Sequence, residues 1–251
     1  MDKIKLLITG GNGFKNEHTY EDIEKMLHSN IIFPTKILDS VVRNKVKYFL
    51  NTGTFTEYLL DENQTNISSN IFPKNLYSTS KVSFEQILKF YIGNYHLNAI
   101  TLKLFAPYGY GDNPKKFIPY LINSAIKGEE AEVSDGYQKW DYVYVKDIAK
   151  AYLKGVEYLI NDRKEYDVFN IGSGETHGLR EIGEIIKSIN NNFQIKWGAK
   201  PYRKNEVFYA KADITHSINT LGWQPEYNLK DGIYETYEKY KEELKNGRKI
   251  A

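Results

Sequence analysis

There is no cysteine in this chain, which excludes disulfide staples and thiolate zinc sites and removes the most direct clue to the redox state of its compartment. No sign of charge dominates either. Lysine and arginine total 34 against 32 acidic residues, a net +2, so bulk charge gives no reason to expect nucleic acid as a partner. Long apolar runs are missing as well. The stretch KLLITGG near the start is far too short to span a bilayer and leads into a glycine turn without a small-residue cleavage pattern, which predicts a soluble, cytoplasmic protein with no membrane partner. The five histidines, His18, His28, His96, His177 and His216, are scattered without metal-ligand spacing, and no metal site is expected. Ser68, Ser78 and Ser80 lack a histidine relay in the pattern, so a nucleophilic hydrolase is not supported. Internal repeats and low-complexity linkers are also absent.

What is present is an alternation. Ile4 to Ile8 is a short, β-branched apolar run ending in Thr9-Gly10-Gly11-Asn12-Gly13, the pattern of a buried strand leaving through a tight turn. A helical pattern follows from Thr19, with Ile23, Met26, Leu27 and Ile31 in register and Ile37, Leu38 and Val41 continuing the face. Pro34 is expected to kink it or divide it in two. Val46 to Leu50 reads as a strand, Tyr77 to Tyr91 as a helix and Ala99 to Phe105 as a strand. Strand, helix, strand, helix, strand implies parallel pairing through right-handed crossovers, with the strand ends on one functional edge. The predicted fold is therefore α/β: a Rossmann-like parallel sheet with a smaller, interwoven C-terminal lobe. Residues 1–110 form the first part and 111–251 are mainly the second.

The chemical signal is Tyr77-Ser78-Thr79-Ser80-Lys81. Residues four apart on a helix stand one turn above each other, so the ammonium can lie beside the phenol and favour phenolate. The pair comes about 25 residues after the strand end Thr52-Gly53-Thr54, a distance that lets a strand-end hydroxyl and a helix-borne phenol converge on one carbonyl. Gly10, Gly11 and Gly13 suit a turn whose backbone approaches a pyrophosphate at a helix N-terminus.

These motifs carry a resemblance. TGGNGF at 9–14, NTGTF at 51–55, YSTSK at 77–81, LKLFAPYGYG at 102–111, QKWDYVYVKDIA at 138–149, FNIGSG at 169–174, PYRKNE at 201–206 and LGWQPEYNLKDGI at 221–233 follow in order. Together they resemble the extended short-chain dehydrogenase/reductase family, in particular its nucleotide-sugar epimerases, dehydratases and 4-ketoreductases. The resemblance implies a nicotinamide cofactor, NAD or NADP, a nucleotide-linked sugar as substrate, and chemistry at the sugar's C4.

By residue, it implies Tyr77 as catalytic acid/base, Lys81 as the group that lowers its pKa and bonds the nicotinamide ribose, and Thr52 as the hydroxyl that holds the substrate oxygen. Gly10, Gly13, Phe14, Lys81 and Pro107 are the expected cofactor contacts; Thr54, Arg203 and Trp140 are the expected substrate contacts. Arg203 matches the arginine that grips a diphosphate, while Trp140 either stacks on the ligand or packs. Gly53 and Thr54 stand where dehydratases carry carboxylates, which disfavours water elimination and leaves reduction or epimerisation. Ala106 stands where relatives place a sugar-nucleotide-holding asparagine, beside Lys103 for the commoner arginine, a departure that shifts the sugar or weakens its grip. Asp141 and Asp147 are expected to brace backbone, and Asn170 to organise the turn that follows its strand. A homodimer through the helices at 20–43 and 77–92 is open.

One departure cuts across this picture. Between Phe14 and His18, about 60 to 70 residues of the family's pattern are missing, including the second strand with its ribose-binding acid. A second reading therefore stands beside the enzyme: a noncatalytic sugar-nucleotide-binding protein that has lost normal dinucleotide binding.

Overall fold

The computed structural model describes residues 20–61, 63–161, 164–204 and 206–246. The predicted strand at 4–8, the glycine turn with Gly10 and Gly13, Phe14, and the junction up to His18 lie outside the described residues.

The first helical stretch is divided, as Pro34 predicts, although the division falls just before the proline. Helix α1 (Tyr20–Leu27) passes through a π-turn, His28–Ile32, into α2 (Phe33–Arg43), with Pro34 near its N-terminus. A proline there needs no N–H partner from the preceding turn, and the wider turn absorbs the mismatch. Strand β1 (Tyr48–Thr54) follows, then a 3-10 turn, Phe55–Glu57, and short β2 (Gln64–Thr65). Helix α3 (Leu76–Tyr95) starts at Asn75, whose side chain accepts from the Ser78 amide at 2.8 Å, and it ends where His96 takes a left-handed conformation at φ 54°. Strand β3 (Asn98–Leu104) runs on to β4 (Ala106–Tyr108).

The second half holds α4 (Phe117–Lys127), β5 (Ala131–Glu132), β6 (Lys139–Trp140), β7 (Tyr142–Tyr144), α5 (Val145–Asn161) and β8 (Tyr166–Ile171). These are followed by β9 (His177–Gly178), α6 (Leu179–Ile189), β10 (Ile195–Lys196), β11 (Tyr209–Ala212), a π-turn at Ser217–Leu221, and α7 (Leu229–Lys245). The segment from Lys139 to Tyr144 is divided between two sheets: β6 pairs with β11 and β9, β7 with β4.

The central sheet has the order β1-β3-β8, all parallel, with Thr52 beside Leu102 and Leu102 beside Phe169. β1, α3 and β3 follow the alternation expected from the sequence, whose first strand, at 4–8, lies outside the described residues. The two faces of the sheet are covered as a doubly wound sheet requires. Phe49 and Ala99 pack with Leu38 of α2 and Phe84 and Leu88 of α3, while Leu50, Ile100, Leu102 and Phe169 pack with Ile148 and Ala151 of α5. Gly155 of α5 makes that second contact close: a Cβ there would stand 2.8 Å from Ile100 Cδ1 and 3.0 Å from Leu50 Cδ1. A separate core joins α4, α6 and α7 through Leu121, Ile122, Ile182, Ile186 and Ile233. It forms the smaller C-terminal lobe. No described helix is long and apolar enough to cross a membrane.

Candidate active site

The site lies where β1 leaves the sheet and α3 begins. Along β1 side chains alternate, so Phe49 and Asn51 face α3 while Leu50 and Thr52 face α5. Thr52 accordingly meets α5, its hydroxyl 2.5 Å from that of Tyr152. The hydroxyls that turn toward α3 are further along. Thr54 Oγ1 lies 3.1 Å from Thr56 Oγ1, and Ser78 donates to Thr56 Oγ1 at 2.7 Å, which joins the strand exit to the residue after Tyr77. The same turn is capped from below. Glu57 accepts the Thr54 amide at 2.7 Å, so this 3-10 turn has a capping box of the kind usually found on longer helices.

Tyr77 and Lys81 occupy the first turns of α3, both partly buried. No described residue hydrogen-bonds the Tyr77 hydroxyl, and none pairs with the Lys81 ammonium. The phenol of Tyr77 is pushed up to about 12, first by burial and then by the charge of Glu57 and the neighbouring Tyr152 hydroxyl. The expectation that Lys81 holds this phenol below its ordinary value does not describe the protein without ligands. Burial draws Lys81 down, and Glu57 pulls it back up. Tyr152, which contacts Thr52 and also acts on Tyr77, ties the strand-end hydroxyl to the phenol electrostatically.

Beneath this surface is a buried charge cluster that the sequence patterns did not single out. Lys103 is 2% exposed; its ammonium is 2.8 Å from Glu57 Oε2 and 3.3 Å from Glu85 Oε2, and it lies 4.6 Å from the centre of the Tyr58 ring. Lys103 thus stands under the site, bound to two carboxylates. The expected effect of Lys103 on sugar grip has no direct contact to act through. Only one signal pointed to the cluster: Lys103, Glu57 and Glu85 are charged residues within apolar-rich segments, where an unpaired charge is costly.

The remaining expected residues are distributed as follows. Pro107 sits within β4, paired to Val143. Trp140 packs: its ring is 6.2 Å from Phe55 and 6.3 Å from Tyr142, and its Nε1 donates to the Val207 carbonyl at 2.7 Å. Arg203 lies exposed on the 201–206 loop, its amide facing Glu206 at 3.4 Å. Asp141, fully buried, accepts from Ser173 Oγ at 2.8 Å and from the amides of Ser173, Gly174 and Ala212. Asp147 accepts the Tyr227 amide at 3.0 Å. Asn170 receives the Tyr58 hydroxyl at 2.9 Å and donates to the Thr65 carbonyl at 3.0 Å. Asp141 and Asp147 brace backbone, as expected; Asn170, expected to organise the turn that follows its strand, instead ties β8 to Tyr58, Thr65 and Asp213. Among the described residues no group of three histidine or carboxylate side chains is placed to hold a metal.

Residues 8–172 match the NAD dependent epimerase/dehydratase family. The chain belongs to this family. Among curated relatives, CDP-abequose synthase from Salmonella muenchen is 29% identical over 213 residues, 84% of this chain and 69% of its own length. A dTDP-4-dehydro-6-deoxyglucose reductase from Escherichia coli is 30% identical over 167 residues, 65% of this chain and 51% of its length. Among solved structures, the UDP-glucose 4-epimerase of Thermotoga maritima with UDP-glucose superposes with a TM-score of 0.82 at 25% identity, covering 89% of this chain and 73% of that one. MoeE5 in complex with UDP-glucuronic acid and NAD gives 0.84 at 22% identity over 92% and 77% of the two chains. The expected Rossmann-like fold with its C-terminal lobe is borne out, and so is the expected family.

The nicotinamide end of the cofactor implied by this family fits the residues described. A partly buried ammonium at Lys81 and a phenol at Tyr77, both without hydrogen-bond partners among the described residues, offer hydrogen bonds of the kind a ribose and a reacting oxygen take.

Proposed function

We propose that this protein is an oxidoreductase or epimerase acting at C4 of a nucleotide-linked sugar with NAD or NADP, working first of all as a reductase. The observation that carries the reading is Tyr77. Its phenol, held near 12, is protonated at neutral pH and suited to give a proton to a 4-keto oxygen. When bound, the cofactor supplies or accepts the hydride at C4. The chain's own residues do the rest. The Tyr77 proton moves to the sugar oxygen, Lys81 stands ready to hold the ribose and to stabilise the phenolate that is left, and the hydroxyls of Thr54 and Thr56 orient the oxygen. Thr52 acts through Tyr152. Arg203, exposed and so free to reach a ligand, is assigned the diphosphate in this reading. Gly10, Gly13 and Phe14 take the pyrophosphate, with Pro107 on the nicotinamide side. The relatives' names, a synthase, a reductase and two epimerases of nucleotide sugars among them, support the substrate class.

The short join between Phe14 and His18 favours a weaker grip on the adenosine half, and the noncatalytic reading is its extreme. Titration of the purified protein with NADH and NADPH, followed by nicotinamide fluorescence, separates the two. Saturation in the micromolar range is expected. No binding at millimolar cofactor, with sugar-nucleotide binding retained, would establish the noncatalytic protein instead.

A further inference from the structure

The strand exit and the Tyr77 helix are joined at two points, one on each side of Lys81. On the near side Ser78 meets Thr56 at 2.7 Å. On the far side Glu85, one turn beyond Lys81, shares the ammonium of Lys103 with Glu57, at 3.3 and 2.8 Å. Glu57 closes the loop by accepting the Thr54 amide at 2.7 Å. The carboxylate is 1% exposed and Lys103 2%, so neither contact is weakened by water as a surface ion pair is.

We propose that Glu57 is a positioning residue for the Tyr77–Lys81 pair. Its buried carboxylate fixes the Thr54–Glu57 turn against α3, the helix that carries both residues, and brings a negative charge to a pair in which Lys81 has no ion-pair partner among the described residues. This rests on the proposed function only for its consequence in turnover; the placement and the charge belong to the protein alone.

The groups around Glu57 come from every packed element: Lys103 from β3, Glu85 and Lys89 from α3, Tyr58 from its own turn and Tyr166 from β8. Two carboxylates share one buried ammonium, and the less buried Glu85, which also pairs with Lys89 at 3.0 Å, is drawn down, while burial pushes Glu57 up. Burial works against the charge of Glu57 and Lys103 works for it, and of the two carboxylates Glu57 is the one that acts on Tyr77. A purely structural brace would not discriminate between them.

The test is a fluorine-NMR titration of protein carrying 3-fluorotyrosine, with the Tyr77 resonance assigned from Tyr77→Phe. Glu57→Gln keeps an acceptor for the Thr54 amide and removes the charge. It is expected to lower the Tyr77 midpoint by about one pH unit or more, one unit being the effect of a single charge roughly 12 Å away at an effective dielectric of about 20, while Glu85→Gln leaves that midpoint in place. An unmoved midpoint in folded Glu57→Gln, or equal shifts in the two variants, overturns the proposal. Should Glu57→Gln not fold, the double variant Glu57→Gln with Lys103→Met is compared with Lys103→Met alone, so that the difference isolates the Glu57 charge, and a downward shift of the Tyr77 midpoint between the two is required. NADH titration of these proteins reads the enzyme assignment separately, since the Tyr77 midpoint needs neither cofactor nor substrate.

Discussion

A phenol held near 12 is protonated at neutral pH, the form a reduction step starts from, and a cation must bring it down before it serves as a base in the reverse step. Burial sets this value more than any partner does, with Glu57 adding to it. Tyr77→Phe keeps the ring and its packing and removes only the proton. Turnover of a 4-keto nucleotide sugar is expected to fall by about a hundredfold to ten-thousandfold, the usual weight of a general acid, with cofactor affinity nearly unchanged. Steady-state rates and a fluorescence titration on the same preparation check both halves, and equal turnover in the two proteins would remove Tyr77 from the mechanism.

At the scale of elements, what positions Tyr77 is the packing of the β1 exit against β3 and α3, and glycine marks where that packing is tight. A Cβ on Gly53 would stand 2.9 Å from Lys103 Cγ, 3.0 Å from Glu57 Oε1 and 3.0 Å from Thr101 Cγ2. These are the middle of a buried lysine and a committed carboxylate, neither free to swing aside. Gly53→Ala is expected to cost about 1–3 kcal/mol, the range for overpacking a filled core. Gly93, on the exposed side of α3 with nothing within 4 Å of a Cβ, is the control. There alanine is expected to stabilise by about 1 kcal/mol through helix propensity. Urea midpoints of the two variants moving in opposite directions would show both; a stable Gly53→Ala would mean the cluster yields.

The same region shows which parts of the molecule could be read from its pattern. Periodicity gave the order and type of β1, α3 and β3, because each buries a face whose spacing differs between strand and helix. The four-residue spacing of Tyr77 and Lys81 gave their shared helix. Their electrostatics were not legible, since a pKa depends on burial and on groups distant in sequence, and Glu57, Tyr152 and Lys103 come together only through the fold. The choice between Thr52 and Thr56 was also hidden: strand alternation sends Thr52 toward α5, but which face α3 covers is a tertiary fact. The split of 140–145 into two strands reflects pairing with distant β11 and β4, which no local pattern contains.

At the scale of the whole molecule, buried phenols set the alkaline limit. Tyr58, Tyr108, Tyr142 and Tyr166 are pushed far above 10 by burial, and Tyr77 to about 12. A group whose folded value is raised contributes stability that is complete below its unfolded value, about 10 for tyrosine, and is lost as pH rises through the folded one. Asp167 runs the other way. Burial pushes it up, but hydrogen bonds from His216, Lys164, Tyr158 and the Val168 amide outweigh that and hold it low. Its contribution is complete above about 3.9 and lost as pH falls. The melting temperature is therefore expected to be flat near neutrality and to drop steeply above pH 10.

Tyr142 tests the alkaline arm by itself. Its ring packs in the lobe core, 6.3 Å from those of Tyr108 and Trp140, while its hydroxyl is buried without a protein partner among the described residues. An unsatisfied hydroxyl costs about 1–3 kcal/mol, and ionising it there costs more. Tyr142→Phe is expected to raise the melting temperature at pH 7 and to raise it further at pH 10.5, where the wild-type phenol ionises in the unfolded chain but not in the folded one. Melting curves at the two pH values decide the matter. A variant less stable than wild type at pH 7 would show that the hydroxyl has a partner in solution, and a gain that does not grow with pH would take Tyr142 out of the alkaline transition.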